Sequence, residues 1–167
     1  MPEVTLLLLP VLLLVLAAEF VNGWTDAPNA IATVVSTRVL SPRAAVIMAS
    51  VLNILGAAVT GTVVAATIGK GIIRPEVINL AVVAAAMLTI IIWSATAWYY
   101  GIPTSESHEL IAGLAGAGLA AAGPSVLLWE GWRKVLIGLG FSTFLGFLLS
   151  MVVMTALYWL LRRLSPA

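Results

Sequence analysis

The sequence predicts an all-α protein that crosses a membrane several times. Of its 167 residues, 62% are hydrophobic and only 9% are charged, and this charged fraction is about a third of that in a typical soluble domain. Five stretches contain no Asp, Glu, Lys or Arg, and four of them are 20 residues or longer. A helix of about 20 apolar residues crosses a hydrocarbon core of about 30 Å. The five stretches are 4–18, 44–69, 77–105, 110–129 and 135–161.

The first membrane element is predicted to be broken or re-entrant. Apolar character runs from about Val4 to Val21, and residues 22–29 then read Asn-Gly-Trp-Thr-Asp-Ala-Pro-Asn. A continuous transmembrane helix rarely contains Gly, Pro, Asp and two Asn within eight residues. Helical character resumes at Ala30, but only for about ten residues, which is too short to cross alone. Counting this element as one crossing gives about five crossings in a single domain, 1–167.

The remaining crossings surround a second polar interruption. Ordinary spans are predicted at 44–69 and 77–100, and residues 101–109 then read Gly-Ile-Pro-Thr-Ser-Glu-Ser-His-Glu. The segment that begins at Leu110 is rich in Gly and Ala, which allow helices to approach closely in lipid. We therefore expect this helix to be buried among its neighbours, before a final span at 135–161. Its small residues include Gly113, Gly116 and Gly118.

Several functional classes are excluded by composition. The net charge of +1 offers no basic surface for nucleic acid. Cysteine is absent, so disulfides and thiolate chemistry are absent too. His108-Glu109 resembles the start of a zinc-protease helix, but the chain contains no second histidine, so a zinc site fails on ligand number. Nucleotide and phosphate-loop glycine motifs are also missing. We predict a protein that is not an enzyme and that holds no cofactor beyond a coupling ion.

The first interruption has the chemistry of a cation site. Ionisable residues within a membrane cost several kcal/mol and mark pathways or partners. Asp26 is accompanied by the amide oxygens of Asn22 and Asn29, and broken helices of transporters offer such oxygen atoms to Na⁺ or H⁺. The alternatives stay open: Asp26 caps a helix, or the two asparagines hydrogen-bond between helices. Glu19 lies one turn before this interruption, and two alternatives stay open for it: it pairs with an arginine, or it lies near the membrane interface.

The second interruption has the chemistry of an oxyanion site. Thr104, Ser105 and Ser107 precede a predicted helix, and hydroxyl groups at a helix N-terminus bind anions. As an alternative to anion binding, Ser105 only caps the helix. As an alternative to a functional role, His108 only packs against neighbouring residues. Asn53, which is isolated within a span, is expected to hydrogen-bond between helices rather than to contact substrate. Together the two interruptions predict ion-coupled anion transport.

These two motifs resemble those of the inorganic phosphate transporter (PiT) family of secondary carriers. Residues 22–38 are similar to the family signature NGxxDxxNAxAT, and residues 101–108 are similar to its P-x-S-x-SH element. Both motifs are long, occur in the family's order and lie at breaks between apolar stretches. The resemblance covers the chain from about Asn22 to Gly118, and the hydropathy beyond is compatible.

The resemblance implies a multi-pass carrier in the cell membrane that couples inorganic phosphate to Na⁺ or H⁺, with sulfate or another oxyanion as the alternative substrate. The implied cation site contains Asn22, Asp26 and Asn29, with Asp26 as the Na⁺ ligand if sodium is coupled. The implied phosphate site contains Asn29, Thr104, Ser105 and Ser107. His108 and Glu109 are candidates for a proton-linked or ion-linked role, because many relatives have a small residue at the position of Glu109.

The resemblance also predicts how the protein assembles. Family carriers contain two inverted copies of each motif, whereas this chain contains one of each, equivalent to one inverted repeat. Lys and Arg normally gather on the cytoplasmic side, but the predicted topology places four of them on each face. We therefore expect an antiparallel homodimer in the bilayer. The alternatives are pairing with a homologous second half, a membrane subunit that does not itself transport, and a passive anion channel.

Overall fold

The computed structural model describes residues 2–60, 69 and 71–163 and confirms the all-α fold class. Within these residues the only β-type pairing is an isolated antiparallel bridge between Ile73 and Leu127. The second half of the predicted span 44–69 lies largely outside the described residues. The α-helices are α1 (Pro2–Thr25), α2 (Ala27–Ser36), α3 (Pro42–Thr60), α4 (Leu80–Tyr99), α5 (Glu106–Ala122) and α6 (Trp129–Leu161).

Four helical segments among the described residues are long and apolar enough to cross a membrane. The first combines α1 and α2, and the others correspond to α3, α4 and α6. The predicted crossing that begins at Leu110 forms α5, which has 17 residues and is not among these four. The protein is therefore a multi-pass membrane protein. The four segments are Leu6–Ser36, Pro42–Val59, Leu80–Tyr99 and Trp129–Leu161.

The first break is shorter in the structure than the sequence predicts. α1 continues through Asn22 to Thr25, and α2 begins at Ala27. The amide of Asp26 still donates a hydrogen bond to the carbonyl of Asn22, at 2.9 Å. Pro28 lies in the first turn of α2, where its missing amide would have had no helical partner. The interruption is therefore reduced to Asp26 itself.

The second break is a real loop, but the following helix begins earlier than predicted. α4 ends at Tyr99, and Gly101 turns the chain with a φ of +67°, a conformation that favours glycine. α5 then begins at Glu106 rather than at Leu110. The chemistry-bearing residues from Glu106 to Glu109 consequently form the first turn of a helix.

The chain divides into two compact units, one ending at Leu128 and the other beginning at Trp129. In the first unit α4 packs against both α1 and α5, and α2 packs against α3. The buried residues of α4 recur every three or four positions, which places them on one helical face. They are Val82, Ala86, Ile90, Ser94 and Ala97. The second unit consists of α6 and the residues that follow it.

The segments before α4 and after α5 are joined to each other. The amide of Arg74 donates to the carbonyl of Val126 at 2.9 Å, and the amide of Leu128 donates to the carbonyl of Ile72 at 3.0 Å. Ile72 and Ile73 are fully buried. These contacts fasten α4 and α5 together at the end opposite the 101–105 loop.

Glycine permits close packing of α5 at some positions and not at others. A Cβ atom added to Gly113 would lie 3.2 Å from the carbonyl oxygen of Ala86, and one added to Gly118 would lie 3.0 Å from Ile73. Gly113 and Gly118 are buried, as predicted. The expectation is wrong for Gly116, which is exposed and has open space where a Cβ would be.

We predict that Gly113→Ala destabilises the protein whereas Gly116→Ala does not. The new methyl group at Gly113 meets the backbone of α4, which cannot rotate away, so a cost of about 1–3 kcal/mol is expected. Gly116→Ala is the matched control, since it adds the same methyl group in open space and gains up to about 1 kcal/mol of helix propensity. Thermal unfolding in detergent measures both. Equal melting temperatures for the two variants would contradict the packing argument.

Candidate functional site

Residues from both interruptions line one cavity of about 560 Å³, which we call the polar cavity. Asn22 and Asp26 contribute from the first interruption, and Ser105 and Ser107 contribute from the second. Asn53 of α3 completes the polar wall. Two distant sequence motifs are therefore neighbours in space. The lining residues are Glu19, Asn22, Gly23, Asp26, Ala27, Ala30, Asn53, Ser105, Glu106 and Ser107.

Three acidic side chains line the polar cavity. Glu106 lies close enough to Glu19 and Asp26 for their charges to act on its carboxyl group. None of the described lining residues is Lys or Arg. The three carboxyl groups nevertheless do not converge on one point, because the described residues contain no group of three His, Cys, Asp or Glu side chains placed to hold a metal ion. A cation here would therefore also need amide or hydroxyl oxygen atoms.

Asp26 and Ser105 occupy helix N-cap positions, but neither side chain makes a capping hydrogen bond. The backbone of Asp26 is itself helical, with φ −94° and ψ −34°, whereas capping residues typically have extended backbone. The purely structural alternative, in which these two residues only cap helices, thus receives no support from the structure. Both side chains line the polar cavity instead.

Two of the residues predicted for the site lie outside the polar cavity. Asn29 and Thr104 line a separate cavity of about 310 Å³, together with Thr25 and Trp98. The amide group of Asn29 donates to the carbonyl of Thr25 at 3.5 Å, within its own helical segment. Trp98 also meets Trp24 edge-on, with ring centres 4.8 Å apart. Thr104 also lines the cavity that contains His108 and Glu109. The predicted cation residues are therefore divided between two cavities, and the predicted oxyanion residues are divided among three.

His108 and Glu109 belong to a third cavity, of about 500 Å³, which we call the Glu109 cavity. His108 is exposed, but Glu109 is buried with 7% of its surface accessible. The hydroxyl group of Ser94 on α4 donates a hydrogen bond to Oε2 of Glu109. The other carboxyl oxygen, Oε1, is buried without a hydrogen-bond partner. Ser105 lines both this cavity and the polar cavity.

Four residues that line or support these cavities were not predicted from the sequence. Glu106 lies between the two predicted serines of the second motif, and this position could have identified it as a site residue. Glu19 was left undecided, although it lies seven residues before Asp26, at two helical turns. Asn53 was assigned to a helix contact, and its polar character alone does not distinguish that role from cavity lining. Ser94 sits in a uniformly apolar helix and carries no sequence signal.

Comparison with known proteins assigns the chain to a family. The sequence model of the phosphate transporter family matches residues 22–167. A protein of Rhizobium meliloti named "Probable low-affinity inorganic phosphate transporter" is 41% identical over 160 residues, which cover 96% of this chain and 48% of the relative. A Bacillus subtilis protein of the same name is 44% identical over 152 residues, covering 89% of this chain and 45% of the relative.

A third relative, from Streptomyces halstedii and with the same name, is 44% identical over 167 residues, covering 98% of this chain and 76% of the relative. The chain thus spans about half the length of the first two curated relatives. No solved structure matches it significantly. The family is one of transporters and not of enzymes. Its model covers both interruptions and all helices from α2 onward, so this multi-pass membrane chain belongs to the phosphate transporter family.

Proposed function

We propose that the chain forms one repeat of a secondary transporter that moves inorganic phosphate together with a cation, Na⁺ or H⁺. The observation that carries the proposal is the polar cavity, because both interruptions meet there. Family membership and the printed names of the relatives support phosphate as the substrate. The carboxyl groups in the cavity support coupling to a cation.

The coupling argument is electrostatic. Phosphate is an anion, and the polar cavity presents Glu19, Asp26 and Glu106 with no Lys or Arg among its described lining residues. Two like charges about 6 Å apart repel by roughly 3 kcal/mol at an effective dielectric constant of 20. Each uncompensated carboxylate at that distance would weaken anion binding about a hundredfold. A cation or proton that neutralises a carboxylate therefore favours phosphate binding, and this reciprocity is the thermodynamic basis of symport.

The roles of individual residues follow from their positions. We propose that Asp26 and Asn22 hold the cation, while Ser105 and Ser107 donate hydrogen bonds to phosphate at the N-terminus of α5. That helix end also supplies free backbone amides and a partial positive charge. Asn29 and Thr104, in a separate cavity, are proposed to contact the ions as they leave or enter. Sulfate shares the oxyanion chemistry and is the alternative substrate.

We propose an antiparallel pair of chains as the transporting unit. Five lining residues of the polar cavity are exposed, so that the cavity has an open side on which a second repeat fits. They are Glu19, Gly23, Ala30, Asn53 and Ser107. A second copy is favoured because the balanced Lys and Arg distribution gives the positive-inside rule no preferred orientation. A homologous second half, fused or separate, is the alternative partner.

We expect Asp26→Asn to lose cation dependence while the fold is retained. Asn is as good a helix N-cap as Asp, but the amide removes the charge, and a charged contact contributes about 1.5–3 kcal/mol. The half-saturating cation concentration for phosphate uptake into proteoliposomes should rise roughly ten- to hundredfold. Glu76→Gln, in an exposed connector, is the matched control. Unchanged cation dependence in Asp26→Asn would show that Asp26 is not the cation ligand.

Removal of both hydroxyl groups in Ser105→Ala/Ser107→Ala should weaken phosphate binding. Each lost donor to a buried anion costs about 1–3 kcal/mol, so the affinity is expected to fall roughly five- to 150-fold per hydroxyl. The control is Ser50→Ala/Ser142→Ala, in which both hydroxyls only donate to carbonyls of their own helices. Binding of labelled phosphate to the purified protein gives the comparison. Equal affinity in the two double variants would refute the oxyanion assignment.

Single-cysteine variants test the antiparallel pair, because the chain contains no native cysteine. Val39→Cys and Glu76→Cys flank the predicted crossing 44–69, and both positions are exposed. An impermeant thiol reagent applied to intact cells should label about half of each population if both orientations occur. Labelling after permeabilisation should reach completion at both positions. Full labelling at one position and none at the other in intact cells would reject dual orientation.

A flux measurement separates the remaining alternatives. Proteoliposomes with the purified chain receive labelled phosphate with and without a gradient of Na⁺ or H⁺. Accumulation of phosphate against its own gradient supports a coupled carrier, whereas dissipation alone indicates a passive channel. Absence of flux with intact phosphate binding indicates a subunit that needs another partner.

A further inference from the structure

Glu109 is the most buried acidic side chain among the described residues, and nothing in the site described above uses it. It exposes 7% of its surface, and Ser94, which donates to Oε2, exposes 2%. Oε1 is buried and has no hydrogen-bond partner. Buried polar atoms are hydrogen-bonded in the great majority of cases, so an orphaned carboxyl oxygen calls for a ligand.

Within the described part of the chain, no fixed positive charge is found beside Glu109. The lining of the Glu109 cavity includes no Lys or Arg among the described residues, and α4 contains no Asp, Glu, Lys, Arg or His. On its own helix the nearest ionisable groups are Glu106, which repels it, and the exposed His108. Glu19 and Asp26, which act on Glu106 across the polar cavity, are also acidic. A buried carboxylate without a partner costs several kcal/mol, so compensation has to come from a mobile cation.

We propose that Glu109 and Ser94 form a second binding point for a small monovalent cation, Na⁺ or H⁺, at the carboxyl group of Glu109, a residue that lines the Glu109 cavity. The cavity is large enough, at about 500 Å³, to admit a hydrated ion. The Ser94 hydroxyl holds the carboxyl group in one orientation, so the cation meets a preformed oxygen. A role in coupling rests on the proposed function, whereas cation binding itself does not.

The link between this point and phosphate is Ser105. Its side chain lines the Glu109 cavity on one side and the polar cavity on the other. Glu109 also lies in the first turn of α5, with its amide donating to the carbonyl of Ser105 at 3.0 Å. A cation bound at Glu109 thus removes a negative charge beside the helix end at which phosphate is proposed to bind, so that the partial positive charge of that end acts on phosphate unopposed.

Cation counting on the purified full chain, in detergent and without phosphate, tests the proposal. One arm measures bound radioactive Na⁺ by equilibrium dialysis at fixed pH. The other arm omits Na⁺ and counts protons taken up between pH 9 and pH 5 with an indicator dye. Glu109→Gln keeps the shape and hydrogen-bonding capacity of the side chain without its charge, and Glu76→Gln is the exposed control.

We expect Glu109→Gln to bind one cation fewer per chain than wild type in one of the two arms, and the arm affected identifies the ion. Glu76→Gln should match wild type in both. Ser94→Ala should keep the cation number but change the affinity about tenfold. Na⁺ should bind more weakly because the carboxyl group loses the hydroxyl that orients it, whereas a proton should bind more tightly because the carboxylate loses a stabilising donor. If Glu109→Gln does not fold, Ser94→Ala decides the question by its affinity alone.

An unchanged cation number in both arms for folded Glu109→Gln would overturn the proposal, as would unchanged affinity in Ser94→Ala. Asp26→Asn distinguishes the two binding points, because it should remove a different cation and leave the Glu109 signal intact. If the proposed phosphate transport is wrong, phosphate flux will be absent while Glu109→Gln still binds one cation fewer than wild type. If the Glu109 proposal is wrong, phosphate flux will be present while Glu109→Gln binds as many cations as wild type.

Discussion

The close approach of α4 and α5 determines where the chemistry of this protein lies. Gly113 brings the backbone of α5 against Ala86 of α4, and a Cβ atom there would lie only 3.2 Å from the Ala86 carbonyl oxygen. Further along the same interface, Ser94 reaches Glu109. The N-terminus of α5 is thereby held beside Asp26, because α4 also packs against α1. One glycine contact in the interior therefore supports the meeting of two motifs that are distant in sequence.

Much of this architecture follows from hydropathy and motif position. Long uncharged stretches identify helices because the bilayer demands internal backbone pairing, and the resulting spans agree with α3, α4 and α6. The extent of the first break was not predictable from residue types. Asp26 continues helical backbone geometry, and Pro28 falls in the first turn of α2, where proline is tolerated. Composition shows that helix-breaking residues are present, but whether they interrupt the helix depends on the turn in which each one lies.

The residues of the candidate site were likewise only partly predictable from the sequence. Motif residues such as Asp26 and Ser105 were identifiable because an intramembrane polar residue is costly. Which cavity each residue faces depends on helix rotation and on neighbours from other helices, and this divided Asn29 and Thr104 from the polar cavity. Ser94 could not be predicted for the same reason. A single hydroxyl group in an apolar helix indicates a role only when the carboxyl group that it contacts is known.

The joined segments at the far end of α4 and α5 have a mechanical consequence. Ile72, Arg74, Val126 and Leu128 pair there through backbone hydrogen bonds, whereas the 101–105 loop at the other end has no such pairing with another segment among the described residues. Backbone hydrogen bonds between described residues thus hold α5 to the segment before α4 at its C-terminal end, but not at its N-terminal end. With 17 residues it is about 25 Å long, so a tilt of about 5° displaces its first turn by about 2 Å. That displacement is comparable to the radius of a hydrated ion's inner shell, and it falls on the turn that carries Glu106 and Glu109.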